Sequence, residues 1–140
     1  RMNRIVENFD ENHMASFYSD YLKKDIMIII SDELNASEER LTYEYKERIS
    51  IFINNISEWY CLVCDAVLHW AKSKFNVILN TSDIELMIIY VLFEPFENGL
   101  YGLLFRLSID IEHGCGIQIA VQNDDYRIIK IGTGDIAFEF

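Results

Sequence analysis

From Tyr45 onward the apolar residues fall at Ile49, Phe52, Ile53, Ile56, Trp59, Tyr60, Val63, Ala66, Val67 and Trp70. Steps of three and four draw one continuous stripe down a helix. The opposite face carries Glu44, Lys46, Glu47, Arg48, Asn54, Asn55 and Glu58, as contact with water demands. Asn35 is placed to cap the start, with Glu38 three residues on completing a capping box. A single helix over 37–74 would be about 57 Å long, excessive for a domain built from 140 residues. A break is therefore expected, before Ile49 or near Asn54–Asn55.

The segment 14–34 is ambiguous. Phe17, Tyr21, Leu22 and Ile28 or Ile29 can line a helix face, while Ile26-Met27-Ile28-Ile29-Ile30 has the composition of a buried strand. Because no Gly or Pro interrupts residues 12–34, a helix is the expectation. Beyond residue 77 the pattern changes to strands. Residues 84–93 are almost wholly apolar, and Pro95 to Gly99 supply a turn. Leu103, Phe105, Leu107, Ile109 and Ile111 then alternate with Arg106, Ser108, Asp110 and Glu112. A turn is expected at His113-Gly114-Cys115-Gly116. After a second alternating run, Asn123-Asp124-Asp125 should make a tight hairpin into 127–131, with a short last pairing at 136–138. The expected architecture is α+β in a single domain over 1–140. N-terminal helices, over about 12–75, pack on one face of a C-terminal antiparallel β-meander over about 77–140.

Charge narrows the function classes. Twelve Lys and Arg against 23 Asp and Glu leave a net charge of −11, which repels a phosphate backbone, so no direct nucleic-acid partner is expected. Residues 75–126 hold eight acids and one base, Arg106. No apolar run approaches the roughly 20 residues of a membrane span, so no membrane partner is expected either. The opening residues 1–10 are polar and lack the apolar stretch of a signal peptide. Three cysteines do not make a disulfide framework. A cytoplasmic location is the simplest reading.

No constellation assembles a catalytic centre, and neither an enzyme nor a cofactor is expected. Cys61-Leu62-Val63-Cys64 is a CxxC, but no second pair supplies the other two ligands of a zinc site. Its position within a helix is also unlike a redox motif, whose first Cys sits at a helix N-terminus. Gly132-Thr133-Gly134-Asp135 has no following helix to bind phosphate and reads as a turn. Asp110-Ile111-Glu112-His113-Gly114 is the densest polar cluster. It is either half a metal or acid–base site centred on Asp110, Glu112 and His113, or a strand end with a His–carboxylate pair and glycines that permit a bulge.

Three motifs carry a family likeness: Tyr101-Gly102-Leu103-Leu104-Phe105-Arg106, Asp110-Ile111-Glu112-His113-Gly114-Cys115-Gly116-Ile117, and Ile131-Gly132-Thr133-Gly134-Asp135-Ile136-Ala137-Phe138. Together they resemble small acidic immunity proteins of contact-dependent growth inhibition and other polymorphic toxin systems. In that family an EHG turn and a G-x-x-D-[IV]-A-F ending recur on a β-meander. The resemblance implies a cytoplasmic protein that needs no active site. It would bind and neutralise a cognate toxin C-terminal domain, many such toxins being nucleases with basic clefts. An acidic surface would speed association with such a cleft and block it. The residues expected to supply that surface are Glu94, Glu97, Asp110, Glu112, Asp124 and Asp125, with exposed tyrosines as anchors. The alternative reading is a small metal- or ligand-binding, enzyme-like domain built on Asp110, Glu112 and His113.

Overall fold

The computed structural model describes residues 14–30, 43–93 and 99–139. Six strands form one sheet in the order β1-β2-β3-β4-β5-β6. These are β1 (Met14–Ser19), β2 (Lys24–Ile30), β3 (Ile84–Phe93), β4 (Leu100–Leu107), β5 (Asp110–Gln122) and β6 (Asp125–Gly132). Two helices, α1 (Tyr43–Asn54) and α2 (Ile56–Phe75), lie between β2 and β3 in the chain.

The expected order of helices followed by an antiparallel meander is therefore overturned. The region 14–30 is a β-hairpin, paired from Met14↔Ile29 to Ser19↔Lys24. Its β-branched residues outweigh the missing Gly and Pro. Ile26, Ile28 and Ile30 point into the core while Asp25, Met27 and Ile29 take the other face. The reversal is made without glycine. Lys23 adopts φ 59° and donates its N–H to the Ser19 carbonyl at 2.7 Å, and Ser19 Oγ accepts from Leu22 N at 3.1 Å. The sheet is also mixed, because β2 runs parallel to β3 from Met27↔Ile88 to Ile30↔Val91. Parallel neighbours need a long crossover, and the chain carrying α1 and α2 provides it. From β3 to β6 the expected antiparallel meander is present.

The helix breaks at Asn54–Asn55, one of the two expected places, with a bend of 68°. The Asn54 side chain donates to the Ser50 carbonyl at 2.7 Å, and Glu58 N restarts the ladder on the Asn55 carbonyl at 2.8 Å. The proposed Asn35–Glu38 cap lies outside the described residues. α2 ends on Asn76, which takes the left-handed conformation and bonds Lys72 O at 2.9 Å. The apolar stripe faces the sheet, with Ile49, Phe52, Ile53, Trp59, Val63 and Val67 at most 2 % exposed. Phe52 sits between Trp59 and Tyr101 as the middle of three stacked rings, with centroids at 4.6 and 3.8 Å.

The last segment differs too. Instead of a strand pairing at 136–138, Gly134–Ala137 forms a 3-10 helix against the face of the sheet opposite α1 and α2. Gln118, 4 % exposed, is satisfied there by donating to the carbonyls of Ile136 and Glu139. No single helix is long and apolar enough to cross a membrane.

Candidate functional site

The run from Leu103 to Ile111 is not one strand. The chain reverses at Ser108–Ile109, so Leu107 ends β4 and Asp110 begins β5. Between the pairs Phe105↔Cys115 and Leu107↔Asp110, β4 has one residue and β5 has four. The expected turn at 113–116 is thus a bulge over 111–114 inside a strand. Gly114 makes it possible. At φ +65°, a Cβ there would stand 2.4 Å from the Phe105 carbonyl oxygen, a contact no side chain tolerates.

Within the bulge, Asp110 Oδ1 meets His113 Nδ1 at 3.0 Å and accepts from His113 N at 3.3 Å. The His113 hydrogen bond holds the Asp110 carboxyl below its ordinary range. Glu112 and His113 are exposed. Asp110 and His113 therefore form a pair, and Glu112 is not brought into it. No group of three His, Cys, Asp or Glu able to hold a metal occurs among the described residues.

The six acids expected to form one rim divide between two ends of the sheet. Asp110 and Glu112 lie where β5 begins. Asp124 and Asp125 lie where it has ended, on the Asn123–Asp124 hairpin whose residues have φ 52° and 66°. The eight residues of β4 run between the two ends and span about 24 Å. Glu94 and Glu97 lie outside the described residues. Their flanks, Phe93 and Gly99, are at the Asp124 end, where Val121 N donates to Gly99 O at 3.0 Å.

Sequence reasoning missed a further member of the Asp124 end. The helix break brings Asn55 and Glu58 to the side of β6, where Asn55 hydrogen-bonds the half-buried Tyr126 hydroxyl. Glu58 and Asp124 both act on that hydroxyl, although burial is the main cause of its raised pKa. Glu58 is visible in the sequence only as one more polar residue on the outer helix face. A separate cleft of about 480 Å³ lies between the β1–β2 turn and the helix break, with Ser19, Asp20, Tyr21, Asn54 and Ser57 in its wall. No sequence motif marks it.

The two CxxC thiols are neighbours one turn apart on α2 but differ in exposure. Cys61 is exposed and in hydrogen-bond contact with Tyr21, whereas Cys64 is buried. Burial pushes the Cys64 thiol up to about 11 and that of Cys115 up to about 12. At pH 8 both stay protonated, and the thiolate is the reactive form. Iodoacetamide applied to the native protein at that pH should therefore mark Cys61 and leave the other two intact until the chain unfolds. Peptide mass mapping reads this directly, and equal labelling of all three thiols would show the helix packing to be wrong.

Comparison with protein-family models, with curated proteins and with solved structures finds no match to this chain.

Proposed function

We propose that the chain is a binding protein, not a catalyst, that neutralises a cognate toxin domain in the cytoplasm, in the manner of the immunity proteins its sequence resembles. The observation that carries this reading is the concentration of Asp124, Asp125 and Glu58 around Tyr126, on a two-residue hairpin set against the helix break. In a protein of net charge −11, such a surface suits a basic partner such as the substrate cleft of a nuclease. Tyr126 offers a half-buried ring at its centre. Glu94 and Glu97 stay in the proposal on the sequence resemblance alone. Asp110 and Glu112 do not, because they stand at the other end of the sheet.

The test is co-expression with the reading frame immediately upstream, with growth and co-purification as readouts. A toxic neighbour whose effect is relieved by a stable complex supports the proposal. In that complex, Asp124→Lys with Asp125→Lys should slow association about tenfold at low salt, while Glu112→Lys changes it less than about twofold. A harmless neighbour that does not co-purify would overturn the reading. So would a complex indifferent to the Asp124/Asp125 reversal but sensitive to Glu112→Lys, which would move the interface to the other end.

A further inference from the structure

We infer that Cys61 and Cys64 form a two-coordinate site for a soft monovalent metal ion, copper(I), backed by the hydroxyls of Tyr21 and Tyr60. The two cysteines stand three residues apart within α2, Cys61 exposed and Cys64 buried. That spacing puts them on one side of the helix, with Cβ atoms about 5–6 Å apart. Each has a phenol beside it. Tyr21, in the β1–β2 turn, hydrogen-bonds Cys61, and Tyr60 hydrogen-bonds Cys64. The two rings meet edge to face, with centroids at 5.9 Å. Two thiols from one helix and two phenols from two different elements thus converge on one spot. It adjoins the cleft between the β1–β2 turn and the helix break, whose wall includes Tyr21 and Ser57.

The chemistry of the donors selects the ion. Thiolates are soft ligands, and copper(I) is a soft ion that they select. Zinc asks for four ligands, and among the described residues no third His, Cys, Asp or Glu completes a group with this pair. Two carboxylates act on the group from outside it, Asp65 on Cys64 and Glu85 on Tyr60. Glu85 is paired with Lys24, and both carboxylates are hard oxygen donors, which suit other ions. Geometry also favours a bridging ion over a disulfide. A disulfide needs Cβ atoms about 3.5–4.5 Å apart, so closing one would draw in a turn of α2. An ion held at about 2.3 Å from each sulfur spans the existing gap. On binding, one ion displaces two thiol protons, which leave to solvent, and both sulfurs bond to it as thiolates. The phenol O–H groups then donate to the coordinated sulfurs and fix their orientation, as outer-shell partners do. This inference stands independently of the proposed function.

The test uses the full chain under reducing, oxygen-free conditions, with copper(I) supplied through a coloured chelator that competes for it. The chain should withdraw one ion, X-ray absorption should show two sulfur neighbours on it, and loading should protect Cys61 from iodoacetamide. Cys61→Ser and Cys64→Ser each leave one sulfur and should weaken binding by more than about 100-fold, beyond what an outer-shell change costs. Cys64→Ala repeats the test without a buried hydroxyl, and circular dichroism checks that each variant is folded. Tyr60→Phe keeps the ring and removes only the donor, so about a tenfold loss is expected. Cys115, buried on β5, supplies the control: Cys115→Ala acts at a separate site and should change the affinity less than about twofold. A chain that takes no copper(I) from the chelator overturns the inference. So does an ion that the Cys64 variants leave in place, or one with nitrogen or oxygen where the second sulfur should be, which would mark an adventitious ion only.

Discussion

Gly102→Ala is expected to cost at least about 3 kcal/mol of folding stability, an effect in the far tail for adding one methyl group. A Cβ at this position would stand 1.6 Å from the carbonyl oxygen of Ala137 and 2.6 Å from its carbonyl carbon. Both are backbone atoms, so no rotamer change relieves the clash. Gly102 is in the middle of β4, paired with Tyr90 on one side and Gln118 on the other, and cannot retreat without breaking both ladders. The C-terminal 3-10 helix must lift instead. That exposes Ala137, now 0 % accessible, parts Phe138 from Tyr90, and removes the acceptors of the buried Gln118 amide. A buried amide left unsatisfied costs about 1–3 kcal/mol by itself.

Gly132→Ala supplies the control. There the nearest atoms are the side-chain carbons of Ile136, at 2.9 and 3.6 Å, which can move aside. Its cost should stay below about 1 kcal/mol, because stiffening the unfolded chain offsets part of the crowding. Urea titrations of the two variants decide the matter. Equal midpoints would mean that the C-terminal segment does not rest on β4.

The same segment shows where the sequence stops being informative. The stripe from Ile49 to Trp70 and its break at Asn54–Asn55 are legible, because helical period and burial agree over about six turns. The Asn123–Asp124 hairpin is legible because those side chains tolerate the positive φ that the turn demands. The β1–β2 reversal is not, since Lys23 takes the left-handed conformation where a glycine would have announced it. Nor is the reversal at Ser108–Ile109. The alternation of Leu107, Ile109 and Ile111 continues unbroken through residues where the chain turns back, and Gly114 then marks a bulge instead of a turn. Asp110 and Glu112 stand where β5 begins and Asp124 and Asp125 where it has ended, so the length of that strand divides the rim. The parallel β2–β3 pairing joins residues about sixty positions apart, beyond the reach of any local signal. Glu58 enters the acidic end for a similar reason: only the bend of the helix carries it to β6.

Phe52→Ala should remove about 3–5 kcal/mol, a large share of the stability of a domain this size. The Phe52 ring lies within 6° of parallel to Trp59 and within 2° to Tyr101, so it joins the two helices to the centre of the sheet through one stack. Its loss leaves a ring-sized void between neighbours that are 0 % and 2 % exposed. The two ring contacts add about 0.5–1.5 kcal/mol each to the area term. The indole N–H of Trp59 donates to the Phe52 backbone carbonyl at 2.9 Å, a bond the substitution leaves available. Trp59 should therefore stay anchored at one edge while its face loosens. The expected signature is a lowered urea midpoint with the near-ultraviolet circular dichroism of the tryptophans reduced before unfolding begins. Ile51→Ala, one residue away on α1 and 40 % exposed, should move the midpoint by no more than about 0.5 kcal/mol. If the two substitutions cost the same, α1 does not lie on the sheet through Phe52, and the helix break must be held by something other than this stack.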